Sequence, residues 1–275
     1  MRVQVIGEIG ICHNGNVENV LKLIDQAKWA GFDAVKFQKR NPELYPERPY
    51  NSPLFGEMSY REHKRRLELS ESDYRRIDAY CKEAGIEWFA SCFDKESVDF
   101  IAQFKPKYWK IASPGMLDDD LVEYIGKQPG TIIMSTGMSL EDEVDIAIYL
   151  LHDRRADLVL LHCCSEYPTP NHHVNLRGIT RYVDQVRLTP IRVGYSSHDG
   201  GVPCSVAAVA LGAEVIEVHI TLDRAMKGSD HAASLEREEM ERLVRHIRAV
   251  EVAMGSYDKQ FYEGERKIRE KVSKK

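Results

Sequence analysis

Eight short strand-like runs, each followed by a helix-like run, fill a chain of 275 residues without a repeat or a linker between them. That count, that strict alternation and that length together predict an α/β fold, a (β/α)8 TIM barrel, whose usual size is about 250 residues. A doubly wound open sheet typically uses about five or six such units and would leave the others unplaced. The composition, 43% apolar and 29% charged with 18 Gly and 11 Pro, excludes a disordered, collagen-like or low-complexity chain.

The strand candidates cover residues 3–8, 34–38, 87–91, 108–112, 131–135, 158–162, 191–196 and 215–219. Between the first two, Val17, Val20, Ile24 and Ala27 recur at helical spacing and Gly31 follows as a stop signal. The next helix spans 69–84, with Ser70 and Ser72 as candidate N-caps and Gly85 at its end. Further helices are predicted over 95–104, 118–126, 139–151, 176–186 and 202–211. The clearest helix follows the eighth strand, where Met240, Leu243, Ile247 and Val250 form one apolar face among Glu and Arg.

Residues 39–68 form the longest excursion, with four Pro, three Tyr and the basic stretch His63-Lys64-Arg65-Arg66. They follow the second strand on the side where barrel active sites open, so they are expected to cover the site. Residues 1–255 are expected to form a single catalytic barrel domain. Residues 256–275 are expected to form a helical, basic tail, with six Lys and Arg in the last ten positions.

Charge and targeting signals narrow the function. Thirty-eight Lys and Arg against 43 Asp and Glu give a net charge of −5, which argues against a general nucleic-acid or anionic-membrane binder. The opening run is broken by Glu8 and glycines and does not read as a signal peptide. No stretch approaches the roughly 20 apolar residues that span a bilayer. The six cysteines (Cys12, Cys81, Cys92, Cys163, Cys164, Cys204) form no CxxC pair, so the expectation is a reduced, cytoplasmic protein.

Catalytic groups of a barrel gather at the carboxyl ends of its strands, where residues two apart share a face. Here those ends are polar in turn. They carry Glu8, Lys36 with Gln38, Ser91, Lys110 with Ser113, Ser135, His162 leading to Tyr167, Ser196, and Glu217 with His219. An ammonium buried inside a barrel loses its hydration, so Lys36 and Lys110 each need an anionic partner. Ringed by Ser91, Ser113, Ser135 and Ser196, the two lysines suit a small phosphate or carboxylate. The alternative is that they point outward or pair with Glu8 and Glu217. His198 and His219 end neighbouring strands and suit a divalent metal in an open, exchangeable site for manganese or a similar ion. Their alternative is a pair of hydrogen-bonded core histidines. Asp230 follows in a loop with Gly228 and Ser229 and lies within reach of the same pocket. Cys163 and Cys164 read as small buried hydrophobes, and His172 and His173 as solvated loop residues. Gly7, Gly10 and Gly15 lack the GxGxxG spacing, and there is no Walker A or GxSxG motif.

The ordered motifs resemble the sialic acid synthase (N-acetylneuraminate synthase) family. They are Glu8-Ile9-Gly10 with His13-Asn14-Gly15, Lys36-Phe37-Gln38, Phe93-Asp94, Lys110-Ile111-Ala112-Ser113 and Ser135-Thr136-Gly137-Met138. Then come Tyr167-Pro168-Thr169-Pro170, Asn175-Leu176-Arg177, Gly194-Tyr195-Ser196 with His198, Glu217 with His219, and Gly228 with Asp230-His231. The resemblance implies a barrel that condenses phosphoenolpyruvate with an open-chain N-acylated hexosamine or related aldose, giving a nonulosonic 2-keto-3-deoxy sugar acid and phosphate. By carry-over, Lys36, Ser91, Lys110, Ser113, Ser135 and Ser196 would hold phosphoenolpyruvate. His198 and His219 would bind the divalent metal, Mn2+ above all, with Mg2+ or Co2+ as substitutes. Glu8, Gln38, Tyr167, Glu217 and Asp230 would surround the sugar and the reacting centre.

The sequence departs from the family where Cys12 replaces Asn, Ser91-Cys92 replace Thr-Pro, Ser165 replaces Asn and Ser197 replaces Asp. Most members continue into an antifreeze-like domain that contributes an arginine to the partner subunit's sugar site. This sequence ends at Lys275, so a barrel without that domain is the expectation, and the resemblance itself implies a homodimer. Other readings stay open. One is the same chemistry on a non-standard aldehyde, and another an aldolase or isomerase using the metal without phosphoenolpyruvate. The last is a non-catalytic, sugar-phosphate-binding partner subunit. Two lysines and four serines around one anion argue against an isomerase, and a metal pair has little use in a pure binder.

Overall fold

A computed structural model of the chain describes residues 2–273. The strands are β1 (Gln4–Gly10), β2 (Ala34–Lys39), β3 (Pro49–Ser52), β4 (Gly56–Ser59), β5 (Glu87–Cys92), β6 (Tyr108–Ile111), β7 (Thr131–Ser135), β8 (Leu158–Cys163), β9 (Arg192–Ser197) and β10 (Val215–His219). The helices are α1 (Val17–Ala30), α2 (Tyr60–Leu67), α3 (Glu71–Ala84), α4 (Lys95–Ala102), α5 (Asp119–Gly126), α6 (Glu141–Leu150), α7 (Arg177–Val186), α8 (Pro203–Ala210), α9 (Arg237–Ala253) and α10 (Glu263–Val272). Eight parallel strands close into a barrel in the order β1-β10-β9-β8-β7-β6-β5-β2. The (β/α)8 fold expected from the alternation is therefore the fold observed.

Period-two alternation builds the barrel interior as two tiers. Ile6, Ala34, Phe89, Ile133, Val159, Leu161 and Val215 form a separate apolar cluster packed against Tyr108. Two residues further along these strands stand Glu8, Lys36, Ser91, Ser135, Cys163 and Glu217. The same step takes Tyr108 to Lys110. Register locks the polar tier into a ring: Glu8 lies opposite both Lys36 and His219, Ser91 opposite Lys110, and Glu217 opposite Ser196. The apolar tier closes the floor from below, which is why the polar tier faces only the carboxyl end.

Outside the strands lies the larger core, into which the helices set their apolar faces. On α1, Val20, Leu23, Ile24 and Ala27 are fully buried, and Asn16 caps the helix by accepting from Glu18 N. Ser70 rather than Ser72 caps α3, in a reciprocal box with Asp73. Behind β2 and β5, Phe37, Tyr74 and Trp88 pack as an aromatic group, and Tyr74 donates its hydroxyl proton to the Gln38 carbonyl oxygen at 3.3 Å.

The 39–68 excursion holds structure that periodicity did not reveal: the antiparallel pair β3–β4 and then α2, capped by Ser59. Its helix ends against the β1–α1 loop. A Cβ on Gly15, whose φ is +75°, would stand 2.3 Å from the Arg66 carbonyl oxygen, so only glycine fits there. The tail is helical over α10 and exposed along that helix. No helix among the described residues is long and apolar enough to cross a membrane.

His13 holds the β1–α1 loop from inside. Its Nδ1 accepts from Gly15 N at 3.0 Å, and the Gly10 carbonyl is its second partner. Burial, opposed by that carbonyl and reinforced by Arg40, pushes its pKa down to about 4. The unfolded chain takes up this proton near pH 6.5, so below about that pH the unfolded state binds more protons and stability falls toward pH 4. His13→Gln removes this contribution. The loss of unfolding free energy in urea between about pH 7.5 and about pH 5.0 should be about 2 kcal/mol smaller in the variant. Equal losses in the two proteins would refute the assignment.

Candidate active site

Every predicted site residue lines one cavity of about 410 Å3 at the carboxyl end of the barrel. At its floor two ammonium groups and two carboxylates form a buried network. Lys36 Nζ lies 2.7 Å from Glu8 Oε2 and 3.6 Å from Glu217 Oε1, and donates to Ser91 Oγ at 2.7 Å. Lys110 Nζ donates to Ser135 Oγ at 2.6 Å and to the Ile111 carbonyl at 3.1 Å, with Glu217 Oε1 at 3.9 Å. Ser196 donates to Glu217 Oε1 at 3.3 Å, and Gln38 Nε2 to Glu8 Oε1 at 3.0 Å. The two alternatives open for the lysines therefore coincide: they line the pocket and they pair with Glu8 and Glu217.

The pairing is uneven, and the electrostatics follow it. Burial lowers the Lys110 pKa, with Glu217 opposing and Lys36 reinforcing. Burial acts on Lys36 too, but Glu217 and Glu8 outweigh it and hold its pKa above the ordinary lysine value. Glu8 is raised by burial, which Lys36 only partly offsets, with Glu217 adding to the rise. Glu217, although equally buried, is held below the usual carboxylate range by Lys110, Lys36 and the two histidines. Lys110 is thus the cation with the weakest claim on a carboxylate, and an arriving anion has most to offer it.

Beside Lys110 the wall is made of small groups. Gly137 N donates to Ser113 Oγ at 3.1 Å. A Cβ on Gly137 would lie 2.8 Å from that oxygen and 2.2 Å from Ser165 Oγ, so this cradle exists because position 137 has no side chain. Ser165 Oγ is buried without a hydrogen-bond partner.

His198 and His219 face each other across the cavity mouth with ring centroids 5.2 Å apart, and the Tyr167 ring lies 4.0 Å from the first and 5.6 Å from the second. The Cys164 carbonyl is 2.6 Å from His198 Nδ1, which fixes a proton there and makes Nε2 the nitrogen that a cation would take; burial lowers the His198 pKa, but Cys163, that carbonyl and Glu217 outweigh it and hold it above the ordinary histidine value. His219 Nδ1 is buried with no hydrogen-bond partner, and Asp230 Oδ2 is 3.8 Å from it. Burial pushes the His219 pKa down to about 4, so this ring is neutral. An anchored imidazole and an orphaned ring nitrogen fit a divalent cation. No third His, Cys, Asp or Glu completes a protein-only cluster among the described residues, which leaves the other positions to water or substrate.

The rim carries residues that the strand-end rule missed, notably Arg40, Tyr45, Tyr60, Lys64 and Phe93. Lys64 sat in a basic stretch visible in the sequence, but nothing local said which of its members faces inward.

The sequence profile described as the NeuB family matches residues 23–259. N-acetylneuraminate-9-phosphate synthase of Homo sapiens is 39% identical, over 98% of this chain and 76% of that protein. N,N'-diacetyllegionaminic acid synthase of Campylobacter jejuni is 36% identical, over 96% of this chain and 80% of that one. In three dimensions the chain resembles the N-acetylneuraminic acid (sialic acid) synthetase of Leptospira borgpetersenii, solved in complex with citrate. The TM-score is 0.86 at 26% identity, covering 100% of this chain and 94% of that one.

The floor network makes a stability prediction. Lys36→Met leaves Glu8 buried without its closest cation and should cost about 3–5 kcal/mol in denaturant unfolding. Adding Glu8→Gln to that variant should restore most of the loss. A single variant as stable as the parent would show that the pair does not hold the floor.

Proposed function

The chain belongs to the NeuB family, the sialic acid synthases, and is a phosphoenolpyruvate-dependent sugar-acid synthase; from that premise we propose a metal-dependent condensation of phosphoenolpyruvate with an open-chain N-acylated hexosamine or related aldose. The observation that supports it most is the convergence in one cavity of an anion seat (Lys36, Lys110, Ser91, Ser113, Ser135 and Ser196) with the His198–His219 pair. The product is a nonulosonic 2-keto-3-deoxy sugar acid, released with inorganic phosphate. The cytoplasm is the proposed compartment and a homodimer the proposed assembly.

Lys110, with Ser135 and the Ser113 cradle, and Lys36, with Ser91 and Ser196, hold the phosphate and carboxylate of phosphoenolpyruvate. Both ammonium groups are fixed before the ligand arrives, so little reorganisation accompanies the reaction. His198 and His219 would hold a divalent cation, manganese in this reading, with Mg2+ or Co2+ as substitutes; when bound it supplies Lewis acidity to the acceptor's aldehyde oxygen. Gln38, Tyr167 and Asp230 surround the sugar and hold its aldehyde carbon against C3 of phosphoenolpyruvate.

As C3 bonds to that carbon, positive character develops at C2. Glu217, kept ionised by the lysines, and Glu8 beside it stabilise that charge. Water adds at C2 and gives up one proton, which balances the alkoxide left on the former aldehyde oxygen; the tetrahedral intermediate then collapses by C–O cleavage, its C2 hydroxyl becoming the keto group and its proton leaving with phosphate. The departing phosphate dianion meets the two ammonium groups that held it as substrate.

Phosphate release from phosphoenolpyruvate with manganese, measured across N-acetylmannosamine, its 6-deoxy diacetamido relatives, mannose, arabinose 5-phosphate and shorter aldehydes, tests the reading. Release is expected with an acylated hexosamine. Chelation of the metal, His198→Ala or His219→Ala should each lower it by about 100-fold or more. Unchanged turnover in both variants would overturn the metal assignment. Silence with every aldehyde would overturn the condensation itself.

A further inference from the structure

His231 is a buried titratable group that the condensation leaves without a role, and it follows Asp230 directly in the chain. Its ring is fixed at both nitrogens. Nδ1 lies 2.7 Å from Thr221 Oγ1, just past the end of β10, and Nε2 lies 3.2 Å from Asn14 Oδ1 in the β1–α1 loop. Asn14 donates its Nδ2 to the Lys227 carbonyl at 3.0 Å, so its Oδ1 is left to accept from His231. Nε2 therefore carries the ring proton, and Nδ1 accepts from the Thr221 hydroxyl. Burial lowers the His231 pKa, with Asp230 and Asp223 only partly opposing, and a neutral ring is what this pairing requires.

The bridge joins segments 217 positions apart in the chain. Asn14 grips the loop after β10 with both ends of its amide, from a left-handed conformation (φ +54°) that asparagine tolerates better than most residues. Gly228 lies flat against the imidazole. At its φ of +148° a Cβ would come within 2.7 Å of His231 Cδ2 and 3.2 Å of Asn14 Oδ1, so only glycine lets the loop close over the bridge.

Asp230 takes its place from these contacts. Ser229 donates to its Oδ1 at 2.5 Å, and its carbonyl accepts from Ser234 Oγ at 2.7 Å. Oδ2 makes no hydrogen bond among the described residues and stands 3.8 Å from His219 Nδ1. A Cβ on Gly10 would lie 3.5 Å from that oxygen, 3.0 Å from Glu8 Oε1 and 3.1 Å from Gln38 Nε2. Three polar side chains thus converge on the space that Gly10 leaves, and Oδ2 is the acceptor among them without a protein donor.

We propose that His231 is a positioning residue: by bridging Thr221 to Asn14 it sets the Asp230 carboxylate where it accepts a hydrogen bond from the acceptor sugar. The inference rests on the condensation reading, which places the sugar beside Asp230. Without the bridge the loop keeps its base, where Leu235 N donates to the His219 carbonyl at 2.8 Å. The stretch that carries Asp230 loses its tie between β10 and the β1–α1 loop.

The test is steady-state kinetics with manganese, phosphoenolpyruvate and N-acetylmannosamine as the probe aldose. His231→Asn keeps a partner for Thr221 near the place of Nδ1 but cannot reach Asn14. It should raise the KM for N-acetylmannosamine about tenfold and leave the KM for phosphoenolpyruvate within about twofold. In an Asp230→Asn background the same substitution should cost less than about twofold, because the carboxylate it positions is gone. His231→Gln, whose amide nitrogen reaches the place of Nε2, should recover most of the loss. An equal rise in both KM values, a cost that persists without the Asp230 carboxylate, or unchanged kinetics overturns the inference and leaves the condensation standing. Hydrogen exchange of the ligand-free protein supplies a readout that needs no turnover. His231→Asn should speed exchange of amides 222–234 about tenfold while the barrel strands stay protected. If no sugar is turned over, the condensation reading fails and exchange decides the bridge alone: faster exchange confined to that loop supports it, and unchanged exchange overturns it.

Discussion

Two ammonium groups cannot stand inside a closed barrel without carboxylates, and the site is organised by that constraint. Lys36 and Lys110 enter from β2 and β6, and Glu8 and Glu217 from β1 and β10. All four are buried, with Glu8 in contact with Lys36 and Glu217 within 4 Å of both lysines. The serines then complete what the ion pairs leave open: Ser91 and Ser135 accept from the ammonium groups and Ser196 donates to Glu217. The result is a neutral quartet with one loosely held member, Lys110. A floor with fully matched pairs would have little free charge to offer an anion, and one without carboxylates would leave two buried ammonium groups uncompensated.

The scaffold makes this arrangement possible through tiers. Because the lower tier is apolar, the charged tier cannot be wetted from below and opens only to the carboxyl end. The β1–α1 loop and the 39–68 excursion then raise walls around that opening. They meet where Gly15 passes the Arg66 carbonyl, so the rim cations and the buried His13 belong to one packed unit. Histidines from the ends of β9 and β10 occupy the opposite side with Tyr167 against them. Charge is thus distributed along the axis of the cavity: a compensated floor, an imidazole pair of which His219 is neutral, and an outer edge where Arg40 and Lys64 remain under-compensated.

Much of this was legible beforehand, for identifiable reasons. Glu8, Lys36, Lys110 and Glu217 could be singled out because each ends an apolar run, and polar residues at strand ends of a barrel have one place to go. The histidine pair followed from the same rule. What was not legible has equally particular causes. β3 and β4 are short, irregular in pattern and interrupted by proline and glycine, so no period marks them. Lys64 lies among three other basic residues on one helix, and its inward direction depends on which neighbours find carboxylates at positions 43, 47 and 62.

The sequence by itself determined the alternation of strands and helices and the set of polar residues at the strand ends. Those follow from periodicity between near neighbours in the chain, which chemistry writes locally. Only the tertiary structure decided which lysine takes which glutamate, that His219 Nδ1 has no hydrogen-bond partner, and that Arg40 and Lys64 share the outer end. These depend on the register of a closed ring and on contacts between residues far apart in sequence. Closure fixes them by geometry, since a ring of eight strands leaves each inward side chain only the partners that its neighbours' register brings opposite.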